Sequence, residues 1–258
     1  MSVVTIFGLQ RSGTNFAEGL VKRNIKGITI ANTWSKPLGI WKHSYDIDNS
    51  SGTRNQRAGN SAGNRIDVAK FHKIGTEITS WYIHKNPYSW IESICTKNVD
   101  IRRHYPWVVH GDMKKHNVGN DNDQQTKFEL KGLNVSALAK LYAEHTAWWY
   151  NLCQHRKIFH LSYEDLIRSI KFTEIGLKAF AEFNKFELVN QDKIDIPDKV
   201  GQSDKFNEES RNKYKRVQLS LLSWEQVVKI NNILNHEHTH WQGYEIIGTQ
   251  EKFNNHKV

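Results

Sequence analysis

The chain has 258 residues, with 36 Lys and Arg against 27 Asp and Glu, so its formal charge is +9, and 13 His can add to it on acidification. At roughly 150 residues per domain the length allows one large domain or two small ones, and one domain spanning 1–258 is the simpler expectation. An aromatic content of 11% excludes wholesale disorder, and no run approaches the roughly 18 consecutive apolar residues of a membrane span.

The opening MSVVTIFGLQRSG has no basic n-region, long apolar run or cleavage site, which predicts a cytoplasmic protein. Cys95 and Cys153 lie outside any CxxC or Cys/His cluster, fit reduced intracellular thiols and are given no function. The positive charge predicts an anionic partner, whether nucleic acid, an anionic membrane surface or a small polyanion, and local sequence has to separate these.

Val3-Val4-Thr5-Ile6-Phe7 is a β-branched and aromatic run, too short for a helix, that ends at Gly8 and reads as a buried strand. From Thr14 to Arg23, Phe16, Ala17, Leu20 and Val21 recur at helical spacing. Ile28-Thr29-Ile30 and Ile40-Trp41 are further strand pieces, whereas 48–65, DNSSGTRNQRAGNSAGNR, reads as a mobile loop. Ile78 to Ile83 reads as a second strand, running into Asn86-Pro87, where Asn suits an N-cap and Pro the first helical position of Tyr88 to Thr96. Ser136 onward is helical through Leu152, Ile158-Phe159-His160-Leu161 is a third strand, and a helix containing Leu166, Ile167 and Ile170 follows. Ser223 to His240 reads as one amphipathic helix. This alternation predicts an α/β domain with a parallel sheet and helices on both faces.

Gly8-Leu9-Gln10-Arg11-Ser12-Gly13-Thr14-Asn15 joins the first strand to the first helix, where backbone N–H groups and a helix N-terminus can cradle an anion. A Walker A loop would carry Lys after its second Gly, but here Thr14 follows Gly13 and the cation stands inside the loop as Arg11, which disfavours an ordinary ATPase or kinase. With its flanks, VTIFGLQRSGTNFAEGLV resembles the 5′-phosphosulfate loop of the sulfotransferases that use 3′-phosphoadenylyl sulfate, a family of P-loop fold. The resemblance implies that Arg11, Ser12, Gly13, Thr14 and Asn15 hold the 5′-phosphosulfate and that Phe16 packs near the adenine.

In Lys85-Asn86-Pro87-Tyr88-Ser89-Trp90, a basic residue stands two before Pro, and Ser93 follows Lys85 by eight positions. Both offsets resemble the 3′-phosphate site of the same family, which implies that role for Lys85 and Ser93, with Lys in place of the commoner Arg giving a point charge instead of a bidentate fork. Ser162-Tyr163-Glu164-Asp165-Leu166 resembles the family's YEDL segment, where Tyr163 would lie against the adenine; it reads equally as a core aromatic followed by the acidic first turn of a helix. Lys205 to Arg216 is a further source of cations for the 3′-phosphate, or a solvated charge run.

Sulfuryl transfer needs an in-line nucleophile and cations where charge develops. Arg11 acts electrostatically, because a guanidinium does not release its proton at working pH. Deprotonating an acceptor hydroxyl suits imidazole; the family carries a catalytic His soon after a basic residue, which points to His43 in Ile40-Trp41-Lys42-His43, with His84 second. No metal is expected. The acceptor is expected to be a small molecule or carbohydrate bearing a hydroxyl or amine, selected by segment 44–70 and region 98–130 and by aromatics such as Trp34, Trp41, Tyr45 and Trp107. Two rival readings stand beside this one: a P-loop nucleoside or sugar kinase, and a basic nucleic-acid-binding module using Arg54, Arg57, Arg65, Arg102, Arg103, Lys114 and Lys115.

Overall fold

The computed structural model describes residues 2–30, 43, 78–96, 134–199, 205–215, 217 and 219–257. The strand expected at Ile40-Trp41, the loop 48–65, the acceptor regions 44–70 and 98–130, their aromatics with Trp34, and the basic residues from Arg54 to Lys115 named above lie outside the described residues. The chain forms two compact units, one built from Met1–Ser44, Arg65–Lys85 and Asn151–Arg216, the other from Tyr45–Asn64, Asn86–Tyr150 and Val217–Val258.

Among the described residues the first unit holds a four-stranded sheet of β1 (Ser2–Phe7), β2 (Ile28–Ile30), β3 (Ile78–His84) and β4 (Phe159–Ser162), all parallel, in the order β2-β1-β3-β4. Parallel neighbours need a crossover, and α1 (Thr14–Asn24) supplies the one between β1 and β2. Alternation along the strands sends Val4, Ile6, Trp81 and Ile83 to one face, where they form a buried core with Phe16, Leu20 and Val21 of α1 and with Leu177 and Phe180 of a later helix. Phe180 stacks on Trp81 at 4.6 Å between ring centroids and meets Phe159 edge-on at 5.5 Å. Truncating such a ring to Ala costs about 3–5 kcal/mol.

The helix expected through Leu166, Ile167 and Ile170 is two helices: Ser162 caps a short one (α4, Tyr163–Leu166), and Ser169 caps α5 (Ile170–Phe183) by accepting from the Phe172 amide at 3.2 Å. A second local cap beats continuation of the helix, because Ser hydroxyls satisfy the orphan amides of a new first turn. Lys205 to Arg216 contains α6 (Glu208–Lys215).

The second unit contains α2 (Pro87–Thr96) and most of α3 (Val135–His155), then α7 (Trp224–Asn231), α8 (His236–Trp241) and α9 (Gln250–His256). The single helix expected over Ser223 to His240 is thus divided. Ser223 starts α7 with a reciprocal capping box to Gln226, and Asn235 starts α8 by accepting from the His238 amide, so the apolar stripe of Val227, Ile230 and Leu234 runs across a break. Buried Glu92 fastens the entry to α7, accepting from Ser220 Oγ at 3.0 Å and from the amides of Leu221 and Leu222 at 2.9 Å each. Tyr88 donates to Asn231 Oδ1 and accepts from the Ile247 amide, and burial pushes its phenol up to about 12. No helix among the described residues is long and apolar enough to cross a membrane.

Candidate functional site

In the first unit the chain leaves β1 for β2 on one side and returns to β3 on the other, so the carboxyl ends of β1 and β3 flank the point where strand order reverses. Crevices at such points receive ligands in open α/β sheets, because the loops from the two strands part there. The loop Gly8 to Gly13 leaves β1 at this point, and Lys85 follows β3.

The loop's glycines are required by close packing. A Cβ on Gly8 would stand 2.2 Å from the Ile83 carbonyl oxygen, so the loop can begin beside β3 only without a side chain. Gly13 has φ +89° and would place a Cβ 2.1 Å from the Tyr163 ring. Arg11 adopts φ 70°, a left-handed conformation that costs an L-residue roughly 1–2 kcal/mol. The Ser12 amide donates to the Leu9 carbonyl at 3.1 Å and its hydroxyl donates to the same oxygen, closing the turn. Ser12 and Thr14 are buried, Arg11 and Gly13 are half-buried, and Asn15 is exposed. Among the described residues no side chain caps α1, and its first turn has no acid, so its positive end is not neutralised from within that turn.

His43 comes to the start of this loop. Its Nδ1 lies 2.6 Å from the Gly8 carbonyl oxygen; a carbonyl can only accept, so Nδ1 carries the proton and Nε2 is the basic nitrogen of the neutral ring. His84, the second choice for a base, is buried on β3 with its ring 5.8 Å from that of His160, whose pKa burial lowers.

Lys85 is only 5% exposed. Its pKa falls to about 8, chiefly because burial strips water from the ammonium; Glu164 opposes the fall and the Arg11 guanidinium adds to it. These three charged groups therefore share one electrostatic environment at the carboxyl end of the sheet. Ser93, the partner that the resemblance implied for Lys85, is a half-buried residue of α2, in the second unit.

Tyr163 is 3% exposed, a member of the core, with its ring packed against Gly13. Phe16 is buried in the first turn of α1, and Phe206 stacks on it at 5.3 Å with the planes 23° apart. The Arg211 guanidinium lies over Phe206 at 5.3 Å, and its buried Nε has no hydrogen-bond partner among the described residues. Sequence reading passed over two of these residues. Phe206 is an apolar residue inside the charged run Lys205 to Arg216, and Glu164 reads as part of an acidic helix turn, so in each case only the fold reveals the neighbour.

Together the residues offer a short glycine-bounded loop, the uncapped start of a helix, one permanent and one labile cation, and an imidazole with an assigned basic nitrogen. Such a set can bind a phosphate or sulfate ester and take a proton near it. No family model, curated protein or solved structure matches the chain.

Proposed function

We propose that the chain is a sulfotransferase of P-loop type that moves a sulfuryl group from 3′-phosphoadenylyl sulfate to a hydroxyl or amine of a small-molecule or carbohydrate acceptor in the cytoplasm. The observation that carries the reading is the meeting of the Arg11 loop, Lys85 and His43 at the reversal point of the sheet. It is supported by the place of Arg11 in the loop, where a Walker A sequence would have its Lys after the second Gly.

The donor supplies a sulfuryl group activated on a phosphate. In this reading the acceptor oxygen forms the new bond to sulfur while the bond from sulfur to the 5′-phosphate oxygen breaks, with its electron pair leaving on adenosine 3′,5′-bisphosphate. His43 Nε2 takes the acceptor's proton. Arg11 and the amides at the start of α1 stabilise the charge gathering on the departing phosphate, and Lys85 serves the second phosphate. Phe206, stacked on buried Phe16, provides an aromatic surface for the base, with Tyr163 holding the loop that leads to it.

The test is thermal stabilisation by adenosine 3′,5′-bisphosphate compared with ATP plus magnesium, since a ligand that binds only the folded state raises apparent stability with concentration. Selective stabilisation by the bisphosphate is expected. Stabilisation by ATP plus magnesium alone would move the protein to the kinase reading, and no response to either would set both aside.

A further inference from the structure

β3 and β4 are paired with His84 opposite Ser162, so the residues that follow them emerge side by side. Lys85 follows β3; Tyr163 and Glu164 follow β4. The Tyr163 ring closes on Gly13, which brings the start of α4 against the loop that carries Arg11. Glu164 is half-buried and Lys85 is buried. Two cations and one carboxylate are therefore gathered at one end of the sheet by three different connections.

A carboxylate at an anion site works against the ligand by simple repulsion, so its presence needs a reason. The reason lies in the difference between the two cations. A guanidinium keeps its proton whatever surrounds it, whereas an ammonium stripped of water beside another cation loses its own, and a neutral amine is a poor anion ligand. We propose that Glu164 is a positioning residue that keeps Lys85 in its ammonium form for anion binding, at the expense of some of the attraction that two unopposed cations would exert. The identity of the anion rests on the sulfotransferase reading; the charge relation between Glu164 and Lys85 does not.

Several other titratable groups are found at this end of the unit. Asp165 is exposed and accepts the Ser162 hydroxyl at 2.7 Å, His84 and His160 face one another, His43 is bonded to Gly8, and α6, packed against α4, carries Glu208, Glu209, Arg211 and Lys213. Lys213 is a second amine, so the 13Cε resonance of Lys85 has to be identified by its absence in Lys85→Arg. Lys85 titrates at about 8 with Glu164 in place, where burial and Arg11 lower it and Glu164 raises it. Loss of the carboxylate should lower that midpoint by a further ~1–2 on the pH scale, the size expected of one charge a few ångströms away at the effective dielectric of a protein.

The experiment has two arms. In the first, ligand-free protein labelled at lysine is titrated from pH 5 to 11, with the Lys85 signal assigned by its absence in Lys85→Arg. Wild type should give a midpoint near 8, Glu164→Gln a lower one, and Glu164→Asp an intermediate one. In the second, affinity for adenosine 3′,5′-bisphosphate is measured calorimetrically across the same range. Glu164→Gln should bind as tightly as wild type or tighter at pH 5.5, and its affinity should fail at a lower pH by the same displacement. An unchanged Lys85 midpoint in Glu164→Gln overturns the proposal. So does an equal loss of affinity at every pH, which is what a purely structural role would give. If the bisphosphate does not bind wild type while the midpoint still moves, the sulfotransferase reading falls and the charge relation stands. Should Glu164→Gln fail to fold, the Glu164→Asp comparison decides on the same criteria.

Discussion

The Nδ1–H of His43 donates to the carbonyl of Gly8 at 2.6 Å, tying the imidazole to the first residue of the anion loop and leaving Nε2 as the basic nitrogen. A ring held in this way has both its tautomer and its direction set by the loop it serves. His43→Asn separates the two functions, because an Asn amide can still donate near the Gly8 carbonyl but has no basic nitrogen. We expect turnover to fall by about 10²–10⁴ while bisphosphate affinity stays within a few-fold of wild type. Normal single-turnover rates in His43→Asn would remove the base from His43, and His84 would be the next residue to replace.

Gly13 meets two demands at once, a positive φ and a ring in the space of its absent side chain. Gly13→Ala should therefore destabilise by about 2–4 kcal/mol, since strain in the left-handed region and a steric conflict add together. Combining it with Tyr163→Ala removes the conflict but not the strain. The double variant should lose less stability than the two single losses summed, by more than about 0.5 kcal/mol in a denaturant-melt cycle. Strict additivity would show that the ring and the loop are not in contact.

Arg11 also sits at positive φ, but its side chain is the loop's permanent charge. Replacing it with Gly and with Ala gives a paired test. Both variants should lose most affinity for adenosine 3′,5′-bisphosphate, because both remove the guanidinium. Arg11→Gly should be more stable than Arg11→Ala by about 1 kcal/mol, since only Ala retains the left-handed penalty. Unchanged affinity in both, measured by calorimetry, would exclude Arg11 from the anion site.

The first strand, the loop and α1 were legible because their signals are local: a β-branched run, two glycines five apart, then apolar residues at helical spacing. Lys85 was legible for the same reason, since Asn86-Pro87 marks the end of a strand and the start of a helix. The pairings that make the site are not local. Lys85 and Glu164 are brought together by the ladder between β3 and β4, and no spacing within the sequence encodes that register. Phe206 stacks on Phe16 across most of the unit's chain length, and its hydrophobicity alone could not name a partner. The break between α7 and α8 was missed because Asn235 has two uses. On a helix face it is an ordinary polar residue, and only its acceptance of the His238 amide makes it a cap.

Lys85 also makes a prediction about stability that needs no ligand. Its folded pKa of about 8 lies below the value of 10.5 for an ordinary lysine, so between these two the unfolded chain holds more protons than the folded one. Stability contributed by this group therefore rises as pH climbs from about 8 towards 10.5, and at lower pH the protein carries the full cost of a buried ammonium, about 3 kcal/mol. Lys85→Met keeps the length of the chain and removes the charge. It leaves Glu164 without that partner, but Glu164 is only half-buried and keeps part of its hydration, so the balance should favour the variant. We expect Lys85→Met to unfold at a higher temperature than wild type at pH 7, with the gap narrowing as pH approaches 10, and to lose affinity for adenosine 3′,5′-bisphosphate more than for adenosine 5′-phosphate. A variant less stable than wild type at pH 7 would mean that the ammonium stabilises the fold through its partners, and that the trade of stability for anion binding at this position does not exist.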